Sequence, residues 1–374
     1  MDPATATGPP LDSDYFWTTE DYGTDDYGTD DYGTGSPDGG GMCGRGWVRD
    51  FRAQYEPPLF WIIFLLGAVG NLLVVLIYCT FRRRIKTMTD IYLLNLAVAD
   101  LLFLCTLPFW AQDALNGWSF GRGACKVVLP VYKINFFSSV LLLTCISVDR
   151  YVAIVQVAKA HNSKKKRLFY SKVACLAVWL ASVLLALPEF MFATVRTGEK
   201  KSCALVYGDN SKNRTKILVL ALQICVGFCL PLIIMFFCYS VIIRKLLQAK
   251  NFEKHKALRV IFAVVLVFVL SQLPYNAFLV MEATQAANVS ITDCETVKRF
   301  DVAGKVAKSL AYTHACLNPF LYVFIGVRFR QDLMKMVKMR AGSLSKAGLM
   351  VSPSSSKRQP SVMSETETTP ALSL

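Results

Sequence analysis

The sequence predicts an all-α membrane protein, built as a seven-transmembrane helix bundle with a short amphipathic eighth helix and disordered termini. Of the 374 residues, 53% are hydrophobic and only 18% are charged. The apolar residues gather in runs of about 20, the length that crosses the hydrocarbon core of a bilayer as a helix. The net charge of +14 comes from Lys and Arg beside these runs, which favours anionic lipid rather than nucleic acid as their partner. Only the two ends are polar enough to remain disordered.

Seven apolar runs are long enough to span the membrane. Four contain no charged residue, and three carry one ionisable residue each, namely Asp100, Lys133 or Glu189. The predicted spans are residues 57–81, 91–112, 127–148, 173–195, 217–243, 260–281 and 309–327. Prolines within them remove backbone donors, so kinks are expected at Pro108, Pro188, Pro231, Pro274 and Pro319.

Lys and Arg beside the spans predict the orientation. They cluster in four segments, at 82–86, 159–172, 244–259 and 328–340. All four belong on the cytoplasmic face, so the amino terminus is expected outside the cell and the carboxyl terminus inside. The chain then divides into an extracellular acidic Tyr-rich tail (1–56), the transmembrane bundle (57–325), an amphipathic cytoplasmic helix (326–340) and a Ser/Thr-rich cytoplasmic tail (341–374).

The predicted outer tail contains ten Asp or Glu and no Lys or Arg in its first 42 residues. A repeated Asp-Tyr-Gly-Thr motif and its surroundings place four tyrosines among carboxylates, where sulfation is expected: Tyr15, Tyr22, Tyr27 and Tyr32. Sulfate would add charge and acceptor oxygens, as phosphate does. Such a tail would attract and wrap a basic protein ligand. The alternative interpretation is a solvated low-complexity tail.

Four of the 12 cysteines lie in segments predicted to be outside, where disulfides persist: Cys43, Cys125, Cys203 and Cys294. They permit three pairings, and their spacing does not choose among them. Asn213 and Asn288 begin glycosylation triplets on the same predicted side. The inner tail is a candidate phosphorylation substrate, able to recruit a basic partner.

Ionisable residues at membrane depth cost at least about 2.5–3.5 kcal/mol on insertion scales, so each is a candidate functional residue. Asp100 lies in the middle of a span. It is interpreted either as a packed polar group bonded to a neighbouring amide or hydroxyl, or as a cation or proton site. Tyr132, Lys133, Glu282 and Lys308 lie towards the outer ends of their spans. They are expected to line a polar cavity that opens to the outside.

Three motifs lie on the expected spans: Asn-Leu-Ala-Val-Ala-Asp at 95–100, Asp-Arg-Tyr-Val-Ala-Ile at 149–154 and Asn-Pro-Phe-Leu-Tyr at 318–322. In identity and mutual spacing they resemble the rhodopsin-like G-protein-coupled receptors. Thr-Leu-Pro-Phe-Trp at 106–110, the Asp-Tyr-rich tail and the second pair of outer cysteines are similar to CC-type chemokine receptors. The resemblance covers residues 43–340 and the last four residues.

The resemblance implies a plasma-membrane receptor, not an enzyme, that binds a CC chemokine and activates an inhibitory-class G protein in support of leukocyte chemotaxis. Within this resemblance, Tyr-Lys-Ile-Asn-Phe at 132–136 implies the thymus-expressed chemokine as the ligand. The resemblance also implies the disulfides Cys125–Cys203 and Cys43–Cys294. The chemokine body would bind the sulfated tail, and its amino terminus would enter a pocket around Trp110, Tyr132, Lys133, Glu282 and Lys308. Receptor kinases and arrestin would act on the inner face.

Activation is also implied by the resemblance. Arg150 would leave Asp149 while Tyr239 and Tyr322 turn inward, and Asp100 would correspond to an allosteric sodium site. The residues expected to carry coupling are Asp149, Arg150, Tyr151, Tyr239, Gln272, Asn318, Pro319 and Tyr322.

Two residues depart from the family pattern. Gln272 stands where a tryptophan commonly precedes Leu-Pro, so the usual aromatic switch is not carried over. Lys308 stands where many chemokine receptors have Glu, so a salt bridge from that position to a basic chemokine amino terminus is not carried over either.

Two alternative functions and one question of assembly stay open. An atypical receptor would scavenge chemokine through arrestin without G-protein signalling, although the intact motif at 149–154 argues against it. A transporter is more remote, because the sequence lacks a paired repeat of interrupted spans. Catalysis is disfavoured, since the three histidines belong to no metal-ligand cluster or nucleophile–base spacing. Dimerisation is not decided by the sequence.

Overall fold

A computed structural model describes residues 46–80, 88–156, 164–197, 200–207, 212–248, 256–288, 294–325 and 329–339. The elements in chain order are α1 Gly46–Thr80, α2 Met88–Leu104, α3 Leu107–Asn116, α4 Gly121–Val155, α5 Lys164–Leu185, α6 Leu187–Phe192, β1 Ala193–Arg196, β2 Ser202–Leu205, α7 Lys212–Ile224, α8 Leu230–Leu247, α9 Lys256–Asn288, α10 Cys294–Tyr312 and α11 His314–Ile325. A last helix, α12, covers 329–339. The predicted sulfation sites Tyr15, Tyr22, Tyr27 and Tyr32, together with Cys43 and the tail from 340 onward, lie outside the described residues.

Six helical stretches of the described chain are long and apolar enough to cross a membrane: Gly46–Thr80, Met88–Asn116, Gly121–Val155, Leu168–Phe192, Arg214–Lys245 and Ile261–Thr284. The seventh predicted span falls on α10 and α11, which meet at Thr313. This agrees with the predicted all-α bundle. The predicted short helix at 326–340 is helical at 329–339, and its other residues lie outside the described ranges.

Prolines divide two of the spans. Pro108 and Pro188 each lie in the first turn of a new helix, α3 and α6, where a missing N–H costs no helical hydrogen bond. At the first of these breaks the Thr106 hydroxyl donates a 2.6 Å hydrogen bond to the carbonyl oxygen of Phe103. Pro274 and Pro319 instead lie inside α9 and α11. In the fifth span a π-helical segment, Cys225–Cys229, joins α7 to α8.

A two-stranded antiparallel hairpin of β1 and β2 caps one end of the bundle, called here the hairpin end. A disulfide joins Cys203 of β2 to Cys125 of α4, with 5.5 Å between the Cα atoms. The backbone N–H of Trp118 donates a 2.6 Å hydrogen bond to the backbone carbonyl of Lys201. Gly117 has a φ of 77°, and a Cβ there would lie 2.7 Å from the same carbonyl oxygen. Glycine is therefore required where the chain passes under the hairpin.

Helix α4 is central, because it packs against α2, α5, α8 and both strands. The first span approaches its neighbours closely at Gly67, where a Cβ would lie 2.7 Å from the Leu104 side chain. Large apolar side chains cover the outside of the bundle; Phe236, Met191 and Leu218 are 69–75% exposed. Lipid is the expected neighbour of this surface, since the same helices have the length and composition of membrane spans.

Candidate functional site

A cavity at the hairpin end lies among α1, α3 and α10. Its walls combine aromatic rings with charged groups: Arg52, Glu56, Phe60, Trp110, Lys305, Lys308, Ser309 and Tyr312. Tyr132 of α4 supports the cavity from behind, since its ring centroid lies 4.8 Å from that of Tyr312. The structure thus brings together three predicted site residues, with Trp110 and Lys308 in the lining and Tyr132 packed against it.

A buried charge cluster forms one wall of this cavity. The Arg52 guanidinium lies 2.6 Å from the Asp113 carboxylate and 2.7 Å from that of Glu56. The side chains of Arg52, Glu56 and Asp113 are 13%, 7% and 1% exposed. Charge-assisted bonds of this kind are short and directional, so the cluster ties the first turns of α1 to α3. Sequence reasoning missed all three residues; the only local signal is the i,i+4 spacing of Arg52 and Glu56.

Two other predicted cavity residues, Lys133 and Glu282, are buried in ion pairs. Lys133 donates a hydrogen bond to the amide oxygen of Gln223 and lies 3.8 Å from the Glu189 carboxylate. The Glu282 carboxylate lies 2.7 Å from the ammonium nitrogen of Lys216. Both predicted residues therefore lie outside the lining of the cavity that Trp110 and Lys308 share.

A polar centre lies deeper in the bundle around Asp100, whose side chain is fully buried. One carboxylate oxygen accepts a 3.0 Å hydrogen bond from Asn135, and the other accepts a 2.8 Å bond from Asn318. This geometry matches the interpretation of Asp100 as a packed polar group bonded to amides. Among the described residues, the Ser139 hydroxyl and the amide oxygens of Asn135 and Asn318 are buried without a hydrogen-bond partner. Hard cations prefer oxygen ligands, so these residues also fit a sodium ion.

Gln272 connects the sixth span to this centre. Its amide nitrogen donates a 3.1 Å hydrogen bond to the Ala311 carbonyl and lies 3.1 Å from Nδ1 of His314. The other imidazole nitrogen, Nε2, is 3.8 Å from the Asp100 carboxylate. Where a tryptophan is common, this chain therefore has a buried polar connection from α9 through α11 to α2. His314 was missed as a site residue, although it begins the His-Ala-Cys-Leu-Asn-Pro run at 314–319.

Arg150 lies at the other end of α4 from the disulfide. It is 3.4 Å from the Asp149 carboxylate and donates a hydrogen bond to the hydroxyl of Thr89 on α2. Tyr239 and Tyr322, which are expected to move on activation, are buried. The structure thus adds Thr89 to the predicted set, as a second group that holds the arginine.

The structure describes some of the remaining predicted residues but not all of them. Tyr151 is partly buried beside Phe237, with 6.0 Å between the ring centroids. The Cys125–Cys203 disulfide is confirmed, and Cys294 is also disulfide-bonded, although its expected partner lies outside the described residues. The side chains of the two glycosylation candidates, Asn213 and Asn288, are likewise not described.

Comparison with known proteins identifies the family and several relatives of this chain. The family model described as 7 transmembrane receptor (rhodopsin family) matches residues 70–322. C-C chemokine receptor type 9 of Mus musculus is 47% identical over 310 residues, which is 82% of this chain and 83% of that receptor. The type 9 receptor of Homo sapiens is 46% identical over 308 residues, 82% of each chain. C-C chemokine receptor type 7 of Homo sapiens is 46% identical over 300 residues, 79% of this chain and 78% of that receptor.

Proposed function

Because the chain belongs to the rhodopsin family of seven-transmembrane receptors, and within it to the CC chemokine receptors, we propose that it binds the thymus-expressed chemokine and activates an inhibitory-class G protein. Family membership makes it a chemokine-binding receptor and a multi-pass membrane protein rather than an enzyme or a transporter. G proteins and arrestin are the general partners of this family. The choice of ligand is supported by the similarity to type 9 receptors, and leukocyte chemotaxis is the proposed outcome.

One observation carries the signalling part of the proposal. Tyr312 lines the cavity, and within two residues of it Ala311 and His314 contact Gln272. A ligand that pushes on Tyr312 therefore acts on the same turn that connects α10 and α11 to the sixth span. Coupling between distant sites needs such an element with two arrangements, both of which the ligand can bias.

The proposed mechanism starts with the hairpin end facing the outside of the cell. The chemokine body is held by the acidic tail, sulfated at its tyrosines, while its amino terminus enters the cavity beside Trp110 and Lys308. Displacement of Tyr312 weakens the contacts of Gln272, which allows the sixth span to move. Arg150 then leaves Thr89 and Asp149 and becomes available to the G protein.

Sodium is proposed to regulate this transition at Asp100. A bound sodium ion would supply the positive charge that the neutral amides around the carboxylate do not provide. Asn135, Ser139 and Asn318 would contribute oxygen ligands beside Asp100. The test compares chemokine affinity in sodium chloride and in choline chloride at equal ionic strength. Wild type is expected to bind more weakly in sodium, whereas Asp100→Asn is expected to bind equally in both.

The principal experiment measures G-protein activation and chemokine binding in cells that express the full chain, with a chemokine panel led by the thymus-expressed one. Wild type is expected to respond, and Arg150→Ala is expected to bind without responding. Arg299→Ala is the matched control, because that side chain is 78% exposed and, within the described part of the chain, pairs with its helical neighbour Glu295. Binding and uptake by wild type without any G-protein response would instead identify a scavenging receptor. No binding by any member of the panel would refute the proposed ligand class.

A further inference from the structure

The buried ion pair between Lys216 and Glu282 joins the fifth span to the sixth at the hairpin end. The ammonium nitrogen lies 2.7 Å from a carboxylate oxygen, and the two side chains are 7% and 2% exposed. Charges that are withdrawn from water to this extent carry a large desolvation penalty, so neither is stable without an opposite charge. A ligand group that takes the place of Lys216 at Glu282 is therefore expected to carry a positive charge.

Lysine is suited to being exchanged in this way. Its charge is a single point on a flexible stem, whereas the guanidinium of arginine can hydrogen-bond to carboxylates through several donors at once. The contrast is visible at the same end of the bundle, where Arg52 bonds to Glu56 and Asp113 together. Lys216 also lies in the first turns of α7, close to where that helix begins at Lys212. The ammonium group can therefore leave the carboxylate without unwinding the fifth span.

The exchange would act on the switching part of the bundle. Glu282 and Gln272 both belong to α9, and their separation of ten residues corresponds to about 15 Å along the helix axis. A new partner for Glu282 would change the force that holds the outer part of this helix to α7. Because Gln272 contacts the seventh span at Ala311, that change reaches the polar centre along one continuous helix.

We infer that Lys216 occupies the place of a ligand cation, and that an ammonium or guanidinium group of the ligand displaces it to bind Glu282. The inference rests on the proposed function and adds the chemistry that this site selects. Lys216 is then a specificity-determining residue, which excludes ligands that bring no cation to Glu282. Its own charge competes with the ligand, so removing that charge should raise affinity for a basic ligand.

The test is a double-mutant cycle in the full-length receptor at the cell surface, with labelled thymus-expressed chemokine as the probe. Lys216→Met is expected to bind about tenfold more tightly, because the binding-competent form no longer has to be created by displacement. Glu282→Gln is expected to bind about tenfold more weakly, a difference of about 1.4 kcal/mol, and the double variant should behave like Glu282→Gln. Glu295→Gln is the matched control, since it removes an exposed carboxylate paired with Arg299, and it should leave affinity unchanged.

A variant with the two charges exchanged provides a second test, because a single variant that folds poorly would fail to reach the cell surface. Lys216→Glu combined with Glu282→Lys keeps the ion pair and hence the packing, but it places a cation where the ligand needs a carboxylate. This receptor should reach the surface and bind at least about tenfold more weakly. Unchanged affinity in the reversed receptor, or in Lys216→Met, would overturn the inference while leaving the proposed function intact. Absence of binding to wild type by every chemokine tested would overturn the proposed function, and the inference with it.

Discussion

The strongest test of the architecture at the hairpin end is the substitution Arg52→Met. The methionine keeps much of the apolar stem but removes the guanidinium that lies between Glu56 and Asp113. Two carboxylates, only 7% and 1% exposed, would then lose the guanidinium that bonds to both of them. Breaking a buried ion pair by removing one partner costs about 3–5 kcal/mol, because the remaining charge stays desolvated.

The assay is the apparent Tm of the detergent-solubilised receptor. For a domain of about 150–250 residues, each kcal/mol shifts Tm by about 2–4 °C, and the shift becomes smaller as the domain grows. The expected fall for Arg52→Met is therefore at most about 6–20 °C. The triple variant Arg52→Met, Glu56→Gln and Asp113→Asn removes every charge of the cluster, so it should recover most of this loss.

Arg299→Met provides the control, because the Arg299–Glu295 pair has the same helical i,i+4 spacing as Arg52 and Glu56 but is 78% and 63% exposed. Exposed pairs contribute about 0–1 kcal/mol, so this variant should change Tm by a few degrees at most. If Arg52→Met lowered Tm no more than Arg299→Met, the reasoning would be wrong. The cluster would then not join α1 to α3 in the folded receptor.

Three further predictions concern other parts of the bundle. Cys125→Ser should lower the apparent Tm and surface expression, because a disulfide that closes 78 residues contributes about 4.5 kcal/mol in the chain-entropy model. Gln272→Leu should cost about 1–3 kcal/mol by leaving buried polar groups unpaired, and ligand-free G-protein activation should rise; unchanged basal activity would contradict a switching role. Thr89→Val should also raise basal activation, because Arg150 loses the hydroxyl that holds it, whereas Thr284→Val, at an exposed threonine whose hydroxyl donates to Met281 in its own helix turn, should not.

The seven-helix bundle was predictable because its main determinant is local. A run of about 20 apolar residues satisfies its backbone hydrogen bonds internally and buries its side chains in lipid, whatever its neighbours are. Kinks at Pro108 and Pro188 were expected for the same reason, because proline lacks a backbone N–H and so disrupts helical hydrogen bonds only within its own turn. The family resemblance, rather than spacing, supplied the Cys125–Cys203 pairing that the structure confirms.

The start of helix α1 could not be predicted from local composition. Arg49, Asp50, Arg52 and Glu56 give residues 46–56 the composition of a polar tail, yet α1 begins at Gly46. Arg52 is made compatible with burial by Asp113, 61 residues away. The hairpin strand β1 was likewise included in the predicted span 173–195, because Ala193 to Val195 are apolar enough to continue it.

Long-range pairing also explains the partners at the candidate site that local sequence does not report. Lys133 and Glu282 were predicted to line a polar cavity because they are ionisable residues near the outer ends of their spans. In the structure each meets an opposite charge from another helix, Glu189 or Lys216. The periodic pattern of hydrophobic residues along the sequence does not predict such a partner, because the pairing depends on how whole helices pack.

Buried carboxylates are stabilised in two different ways along the bundle. We expect the first way to affect which ligand binds and the second to affect the change between inactive and active packing. At the hairpin end, carboxylates such as Glu282 and Asp113 are neutralised by cations from other spans. At the centre, Asp100 accepts hydrogen bonds from two neutral amides, which solvate its charge without cancelling it. On the proposed function, a pair at the end would exchange one cation for another, whereas the centre would respond to a change in the spacing of its helices. Substitutions at Lys216 should accordingly change ligand affinity, and substitutions around Asp100 should change the balance between inactive and active packing even without ligand.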